Sequence, residues 1–477
     1  MFWPAKYQFF EHAHKDIRCT RGIMSRASDW VGKVLQNKSK QYVLVCCVGS
    51  GSYARVWMGW DVQAKQSVGI KIFKPDETKS ANKEISIYRR FDELRVRNLV
   101  CMRDTFENES RICMCIDLMA GSVYDIMKKY HSDHGGFAGG FGDRFVLCVL
   151  RQILETLADL HSHGIVHGDV KPENILLAGT SQVSDELHRR LQAKTSVKKI
   201  QEVVKEVSRY AVPCDPDTDA EESDNEADDT KPTSPDSTGS LLSREPSMLR
   251  FSASDGSDNS DNSDDSDNSD DSNEPTEPTP DKSAHIPYHC IEHPIVKLSD
   301  HGSCVDLHGA KIPMTIQTKY YRSPEIIMGN SYTGTADIWA LGCSVYELLT
   351  GRILFDPDQC AKHDRCDNMC DQKRTLLYQI TSTIGLIPRH MIEQSRLRDV
   401  FFRHDNTLKD AGILKPTNYI AGLMDGTVSR TLLVDLIIQM LTIDPNHRIT
   451  ASQALTHPCF GMIEKIEKTD ILTASIS

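Results

Sequence analysis

The chain has 477 residues with 39% hydrophobic content, which is enough for a large core and for more than one domain. Its net charge of −12 is uneven, because residues 211–284 carry 22 acidic and 4 basic side chains and the remainder is weakly basic. The sequence contains no apolar run of ~18 residues and no signal-peptide pattern at its start, so we expect no membrane span and no secretion. The 15 scattered cysteines favour free thiols in a reducing compartment over a disulfide framework.

The N-terminal part changes character at Tyr42. Residues 1–41 are of mixed composition, whereas apolar segments typical of strands follow at 42–49, 56–60 and 67–73. The first two strands are joined by Gly49-Ser-Gly-Ser-Tyr-Ala54, and glycines let such a loop fold tightly and offer backbone N–H groups to phosphates. A lone Gly-x-Gly is also typical of an ordinary hairpin, but Lys71 follows 22 residues after Gly49 inside an apolar strand.

The next segments supply a candidate ion pair and a candidate linker. Residues 82–88 have helical spacing, and Glu84 is the candidate partner of Lys71; an exposed helix glutamate is the alternative. Residues 112–119 are typical of a buried strand that runs into a linker between Asp117 and Met119. Residues 122–163 have helical spacing, interrupted by a glycine-rich loop at 135–142.

The functional prediction depends most on the segment 161–177. Asp169, Lys171 and Asn174 stand there at the spacing Asp-x-Lys-x-x-Asn, ahead of an apolar strand. Phosphoryl transfer needs a carboxylate that takes the hydroxyl proton, a cation near the moving phosphoryl group and an amide oxygen for a metal ion. These three residues supply one of each, and the alternative is a chance match on a helix-to-strand connection.

The segment after Leu177 is a long insert. Residues 183–191 are typical of a capped helix, and a basic amphipathic stretch reaches about Tyr210. Residues 211–284 are rich in Asp, Ser, Pro and Thr and cannot bury enough apolar area to offset their ordering entropy, so we predict disorder there. We expect this acidic segment to be a solvated spacer, a substrate of kinases that recognise acidic residues next to the target serine, or both. Ser223 is one such serine.

Order is predicted to return at residues 295–299, which lead into Asp300-His-Gly302. Further motifs are Gln317-Thr-Lys-Tyr-Tyr-Arg-Ser-Pro-Glu325, Thr335-Ala-Asp-Ile-Trp-Ala-Leu-Gly342 and Asp444-Pro-Asn-His-Arg448. With the catalytic segment and Val68-Gly-Ile-Lys71, they resemble in order and spacing the motifs of the CMGC group of protein kinases. Within that group the chain is most similar to the SR-protein kinase family, because of the insert and its Glu-Leu-His-Arg-Arg-Leu helix, the segment 316–323, and the stretches 385–389, 401–403 and 414–416.

The resemblance covers about residues 42–460 and implies an α+β fold, the bilobal protein kinase fold, interrupted by a long acidic spacer. Its N-lobe would be rich in β-structure and its C-lobe mainly α-helical. The implied parts are an N-terminal extension at 1–41, the N-lobe at 42–118, the first part of the C-lobe at 119–178, a largely disordered spacer insert at 179–285, the second part of the C-lobe at 286–460 and a tail at 461–477.

The same resemblance implies that ATP and Mg²⁺ bind in the cleft between the lobes. Asp169 would be the catalytic base, Lys171 would contact the γ-phosphate, and Asn174 and Asp300 would hold metal. The nucleotide would be bound by Gly49, Ser50, Gly51, Ser52, Tyr53, Ala54, Val56, Lys71, Glu84, Asp117 and Met119. The residues expected to brace the site or to position the substrate are Thr318, Arg322, Glu325, Asp337 and Arg448.

Three positions depart from the general kinase pattern. Ala54 replaces the third glycine of the loop, which should cost only flexibility. Gly168 replaces the arginine that normally pairs with a phosphate on the activation segment, which argues against activation by phosphorylation there. His301 places a polar ring in the apolar slot of Asp-Phe-Gly, which is expected to weaken the active arrangement.

The region expected to dock an arginine-rich substrate also departs from the family. Ser382, Arg374 and Lys373 stand where acids are expected. Either the acidic residues of the preceding loop rebuild a docking site, or the docking groove is lost. These acidic residues are Asp356, Asp358, Asp364, Asp367 and Asp371. The same loop holds Cys360, His363, Cys366 and Cys370, whose spacing matches no common zinc motif.

The sequence therefore predicts a monomeric serine/threonine kinase that phosphorylates serines in Arg/Ser-rich proteins such as splicing factors. The alternatives are a CMGC kinase with a Ser-Pro or other basic substrate, and a catalytically weak scaffold. Chaperones or kinases are candidate partners of the acidic spacer, while neither membrane nor direct nucleic-acid binding is expected. By resemblance, the spacer would control distribution between cytoplasm and nucleus.

Overall fold

The computed structural model describes residues 30–38, 40–133, 140–210, 294–309, 312–358, 372–409 and 420–463. All of these described residues belong to one compact unit, and the second unit, residues 220–281, lies outside them. Within the described ranges, no helix is both long enough and apolar enough to cross a membrane.

The N-terminal half of the fold is an antiparallel sheet of six strands in the order β1-β2-β3-β4-β6-β5. The strands are β1 (Val34–Asn37), β2 (Lys40–Ser50), β3 (Ala54–Asp61), β4 (Gln66–Phe73), β5 (Met102–Asn108) and β6 (Arg111–Ile116). Because β1 pairs with β2, the sheet begins before the boundary at residue 42 that the sequence predicts. A single long helix, α1 (Thr78–Leu94), packs against this sheet.

Both faces of the sheet are buried, which explains the almost continuous apolar composition of its strands. Successive side chains of a strand point to opposite faces. Tyr42 and Trp57 therefore lie in the core on one face, while Val43 and Trp60 lie in a separate core on the other.

The second face of the sheet is covered by two helices from the start of the insert. They are α4 (Gln182–Leu191), capped by the Ser181 hydroxyl, and α5 (Val197–Val207). Leu187 and Ile200 are fully buried against the strands. The helix predicted at 183–191 is confirmed as α4, and α5 continues the ordered first part of the insert, because the apolar stripe of these helices has a sheet face to cover.

The C-terminal half is mainly helical. Its helices are α2 (Val123–Asp133), α3 (Asp143–Ser162), α6 (Pro324–Ile327), α7 (Thr335–Thr350), α8 (Gln372–Thr383), α9 (Arg389–Gln394), α10 (Arg398–Phe401), α11 (Val428–Met440) and α12 (Ala451–Ala454). Helices α3 and α7 are buried on almost all sides, as a helix with little polar surface must be. Around them lies the largest core of the described residues.

Short strands at the edge of the helical half hold the loops that carry the candidate catalytic residues. They are β7 (Gly121–Ser122), β8 (Ile165–Val166), β9 (Ile175–Leu177), β10 (Val296–Leu298) and β11 (Val305–Asp306). Strand β9 pairs with β7 and β10, and β8 pairs with β11. These pairings place the loop 167–174 beside the loop 299–304, although 125 residues separate Asn174 from Ser299.

Candidate active site

Asp169 lies at the centre of a small polar cluster. Its Oδ1 accepts a hydrogen bond of 2.6 Å from the Thr318 hydroxyl, and its Oδ2 accepts one of 3.0 Å from the Asn174 amide. The Lys171 ammonium donates to the same Thr318 hydroxyl at 2.9 Å and lies 3.4 Å from Asp169 Oδ2. A carboxylate, a cation and an amide are thus brought to one point, as proton abstraction beside a developing negative charge requires.

Asp337 fixes the loop that carries Asp169. Its carboxylate is fully buried at the start of α7 and accepts backbone N–H bonds from His167 at 2.8 Å and Gly168 at 2.9 Å. His161 lies 2.9 Å from the same carboxylate. Burial alone would raise the pKa of Asp337, but these partners outweigh it and hold the pKa below its usual value, so the loop is held by a charged group.

Gly168 is required by the local backbone. Its φ is +79°, and a Cβ atom there would lie 2.8 Å from the carbonyl oxygen of Ser303. An arginine at this position would be both strained and crowded. The loop is built for glycine and has no room for the phosphate-pairing arginine of other kinases.

Lys71 binds two carboxylates across the cleft. Its Nζ lies 2.7 Å from Glu84 on α1 and 3.2 Å from Asp300 Oδ1. Burial by itself would lower the pKa of Lys71, but Asp300 and Glu84 outweigh it and raise the pKa, so the ammonium stays charged. The same lysine lowers the pKa of Asp300 to about 2, so this carboxylate is ionised where a metal ion would bind.

Two further contacts join α1 to the segment after Asp300. The Lys83 ammonium donates to the carbonyl oxygen of Gly302 at 2.7 Å. Arg90, two helical turns further along, forms a salt bridge with Asp306. These contacts hold Glu84, which lies on the same helix, at Lys71, although neither pair belongs to the sequence motifs.

His301 lies between the two loops and is fully buried. Its ring packs edge-on against Tyr88 at 4.8 Å, Phe91 at 5.1 Å and His167 at 5.8 Å, measured between ring centroids. Burial lowers its pKa to about 3, so the ring is neutral. Neither ring nitrogen has a hydrogen-bond partner of ordinary geometry, although the backbone of Val100 lies close enough to favour the protonated ring.

The glycine-rich loop connects β2 and β3 at the open side of the cleft. Its turn is closed by the N–H of Gly51, which donates to the carbonyl oxygen of Ala54 at 2.9 Å, and by Lys74, which donates to the carbonyl oxygen of Ser52. Tyr53 is 48% exposed at the tip. Val56 pairs in register with Lys71, so the loop lies directly above the lysine that is predicted to bind phosphates.

Asp117 follows β6 in the linker between the two halves. Its carboxylate is bound by Arg103 at 2.8 Å and by Lys297 at 2.7 Å. These ion pairs brace the linker from both sides, so a nucleobase would meet the backbone between Asp117 and Met119 rather than the Asp117 carboxylate. The predicted contacts of Asp117 and Met119 with the nucleotide remain predictions.

The other predicted bracing residues form buried polar pairs. Arg448 binds Glu325 through two hydrogen bonds of 2.7 and 2.9 Å, with both side chains fully buried. The Arg322 guanidinium donates twice to the carbonyl oxygen of Gln317, at 3.2 and 3.0 Å. The Arg322 contact fixes the backbone on either side of Thr318, and the Arg448–Glu325 pair fixes α6.

Asp358 holds the outer edge of the same segment. It accepts hydrogen bonds from Lys319 at 3.0 Å and from the Tyr320 hydroxyl at 2.8 Å. Its charge is therefore already neutralised, which the sequence could not show. Lys373 and Arg374 lie on α8, while Asp364, Asp367, Asp371 and the cysteine- and histidine-containing loop at 360–370 lie outside the described residues.

Comparison with known proteins agrees with this geometry. The family model "Protein kinase domain" matches residues 42–199 and 287–460. The chain is 24% identical to serine/threonine-protein kinase AFC3 of Arabidopsis thaliana, over 91% of this chain and 86% of that protein. It is 25% identical to serine/threonine-protein kinase SRPK of Physarum polycephalum, over 90% of this chain and 87% of that protein. Protein kinase dsk1 of Schizosaccharomyces pombe is also 25% identical, over 88% and 80%.

Proposed function

Because the chain belongs to the protein kinase family and its relatives include SR-protein-kinase-like CMGC kinases, we propose that it transfers the γ-phosphoryl group of ATP to serines in Arg/Ser-rich proteins such as splicing factors. It is a serine/threonine kinase with the bilobal kinase fold. The substrate class is the proposed part.

The observation that carries the proposal is the complete set of contacts around Asp169 and Lys71. Asp169 is oriented by Thr318 and Asn174, while Lys71 is paired with Glu84. Asp169 would accept the proton of the target hydroxyl, and Lys171 would stabilise charge on the transferred group. These contacts are made by the chain's own side chains, and Gly168 stands where other kinases carry the arginine that pairs with a phosphate, which suits a constitutively active enzyme and disfavours the scaffold alternative.

The residues around the cleft fit a nucleoside triphosphate with Mg²⁺. Asp300 is ionised and half exposed, and Asn174 donates its amide nitrogen to Asp169, which leaves its oxygen for a cation. Carboxylate and amide oxygens are the hard ligands that Mg²⁺ prefers. When bound, the metal would neutralise the phosphates, while Lys71 and the loop 49–54 would orient them.

The substrate proposal is tested with two peptides of matched basic charge, an Arg/Ser repeat and a Ser-Pro peptide. We expect the Arg/Ser repeat to have the higher kcat/KM and to incorporate phosphate on serine. An Asp169→Asn variant is the control, since it keeps the shape of the side chain and one acceptor oxygen but cannot act as the base. No transfer to the repeat, with transfer to the other peptide, would reject the Arg/Ser assignment and keep the kinase.

One observation favours Ser-Pro substrates as the second candidate. Thr318 contacts the catalytic carboxylate, and we place the substrate residue after the target serine beside the neighbouring backbone of Gln317. Gln317 has φ +73°, and its carbonyl oxygen is occupied by the Arg322 guanidinium. A substrate residue with a backbone N–H at that position would lose its hydrogen bond to water and could not form one with this carbonyl oxygen. Proline has no backbone N–H and therefore avoids this loss.

This second candidate predicts a preference for Ser-Pro over an otherwise identical Ser-Ala peptide. Removal of one unsatisfied N–H is worth about 1–3 kcal/mol, or about 5- to 150-fold in kcat/KM. An Arg322→Lys variant, which cannot bind the carbonyl in the same bidentate manner, should reduce the ratio. Equal kcat/KM for the two peptides would remove this candidate.

We further propose that the acidic segment 211–284 controls location and recruits chaperones or kinases. Its 22 acidic and 4 basic residues suit basic partners. Deletion of residues 211–284 should move the protein from cytoplasm to nucleus without loss of kinase activity. An unchanged distribution in cells would contradict the proposal.

A further inference from the structure

Three buried side chains with metal-binding atoms meet behind the catalytic loop. They are His167, His301 and Cys304, whose ligand atoms all lie within 4.8 Å of one another. Each of the three residues is at most 4% exposed. Imidazole nitrogen and thiolate sulfur are the ligands that Zn²⁺ uses in proteins. We propose that these residues form a binding site for a divalent transition-metal ion, with Zn²⁺ as the best chemical match.

The hydrogen bonds of His301 provide an independent reason for a ligand. Both of its ring nitrogens are buried and lack a hydrogen-bond partner of ordinary geometry, although the backbone of Val100 lies close to the ring. Leaving a buried polar group unsatisfied costs about 1–3 kcal/mol, and native structures rarely do so without a bound water or ion. An aromatic ring without nitrogen, as in Asp-Phe-Gly, would fill the slot at no such cost, so the chain carries a donor that packing does not require.

The second histidine already makes a contact of the kind that metal-bound histidines make. His167 Nε2 lies 3.1 Å from the carbonyl oxygen of Ser299, and its Nδ1 accepts a longer contact of 3.3 Å from the N–H of Asp169. Metal-binding histidines usually donate their other ring N–H to a carbonyl or carboxylate. If Nδ1 bound a metal ion in place of its 3.3 Å contact with Asp169, the contact of Nε2 with the Ser299 carbonyl would remain as the supporting hydrogen bond.

The distances and charges suit a small cation. Tetrahedral Zn²⁺, with bonds of about 2.0–2.3 Å, holds its ligand atoms about 3.3–3.8 Å apart. Movements of about 1 Å in the side chains would therefore bring the ligand atoms, now up to 4.8 Å apart, to these distances. Burial raises the pKa of the Cys304 thiol well above its usual value, so a metal ion would have to displace the thiol proton. The negative charges of Asp337, Asp300 and Glu84 near Cys304 favour a cation there, while Lys83 opposes it.

The position of the site suggests what the metal would do. His167 lies two residues before Asp169, and His301 directly follows Asp300. An ion bound to both histidines would tie the catalytic loop to the segment that carries Asp300. It would be separate from Mg²⁺ at Asp300 and Asn174, because its ligands are nitrogen and sulfur rather than oxygen.

The test uses the full-length protein, freed of metal by a chelator and titrated with Co²⁺ and Zn²⁺ in the absence of nucleotide. Tetrahedral Co²⁺ with a thiolate ligand gives visible d–d bands and a near-ultraviolet sulfur-to-cobalt band. The variants are His301→Phe, which should pack well, and Cys304→Ala. Cys343→Ala is the matched control, since Cys343 is another buried cysteine, on α7, that is not part of the cluster.

We expect the wild-type protein and Cys343→Ala to bind one more equivalent of metal than His301→Phe and Cys304→Ala. Only the first two should show the extra thiolate band and a rise in thermal midpoint with Zn²⁺. Equal stoichiometry and equal spectra in all four proteins would overturn the proposal, even if other cysteines bind cobalt. If Cys304→Ala does not fold, His301→Phe decides the question alone. Because no substrate is present, the result is independent of the proposed kinase specificity.

Discussion

Thr318 is the side chain that joins the catalytic carboxylate to the cation beside it. Its hydroxyl donates to Asp169 and accepts from Lys171. Thr318→Ala should lower kcat by about 10-fold or more, because the base loses its orientation, while the KM for ATP changes little. Thr318→Ser should restore most of kcat. Equal rates for the alanine and serine variants in steady-state assays would show that the hydroxyl has no such role.

Glu347 gives the fold a specific dependence on pH. It is buried on α7 and accepts a hydrogen bond of 2.6 Å from the Tyr321 hydroxyl, yet burial raises its pKa to about 7. The folded protein keeps the proton that the unfolded chain loses near pH 4.5, so this group reduces stability as pH rises from about 4.5 to 7.

A Glu347→Gln variant should lose this dependence, because glutamine keeps an acceptor for Tyr321 but does not ionise. Thermal midpoints are measured from pH 5 to 8. The midpoint of the wild-type protein should fall more steeply with rising pH than that of the variant, so that the two curves move apart as the pH rises toward 7. Parallel curves over this range would contradict the raised pKa.

At this scale the sequence motifs identified the chemical groups but not their surroundings. Asp169, Lys171 and Asn174 could be named because their spacing brings a base, a cation and an amide together, and Asp300 because its motif resembles that of protein kinases. The partners of Asp117 and the contact of Asp358 with Tyr320 join residues far apart in the chain. No local pattern in the sequence shows such pairs, since they depend on how the helices and strands pack.

Helix α1 provides a test of the active arrangement at the scale of an element. Lys83 and Arg90 attach this helix to Gly302 and Asp306, and both side chains lie near the surface. Each contact is worth about 0.2–1 kcal/mol, so the double alanine variant should lose about 2- to 30-fold in kcat/KM. Lys79 and Arg89, exposed on the same helix, are the matched double control and should show no loss. Equal activities of the two double variants would contradict the role of α1.

Helices α4 and α5 test whether the first part of the insert belongs to the folded core. Leu187 is fully buried in the core that contains Val43 and Trp60. Leu187→Ala should lower the free energy of unfolding by about 2–5 kcal/mol, whereas Arg189→Ala on the exposed side should change it by less than about 0.5 kcal/mol. Urea denaturation would separate the two. An unchanged midpoint for Leu187→Ala would mean that the helices are peripheral.

The strands of the sheet and the helix at 183–191 could be predicted because periodicity and capping are local signals. The β1 strand could not, since it has four residues and depends on pairing with β2. The packing of α4 and α5 could not either, because the amphipathic stripe shows that a helix buries one face but not which surface it covers.

At the scale of the whole molecule, the loops of the catalytic site are held by side chains of the chain itself and not by an arginine that binds a phosphate. The backbone at Gly168 excludes the arginine that would bind such a phosphate. Asp337, Arg448 and the two contacts of α1 hold the loops instead. The long acidic insert can vary in length at little cost, because loop-closure entropy grows only with the logarithm of length.

The most direct test is the initial rate of phosphate transfer from ATP and Mg²⁺ to a basic serine peptide, measured for the full-length protein before and after phosphatase treatment. If activation is built into the chain, the rate is the same in both samples, and Asp169→Asn transfers no phosphate. A rate that falls with phosphatase and returns after rephosphorylation would contradict built-in activation. Equal transfer by Asp169→Asn would contradict the assignment of the catalytic base.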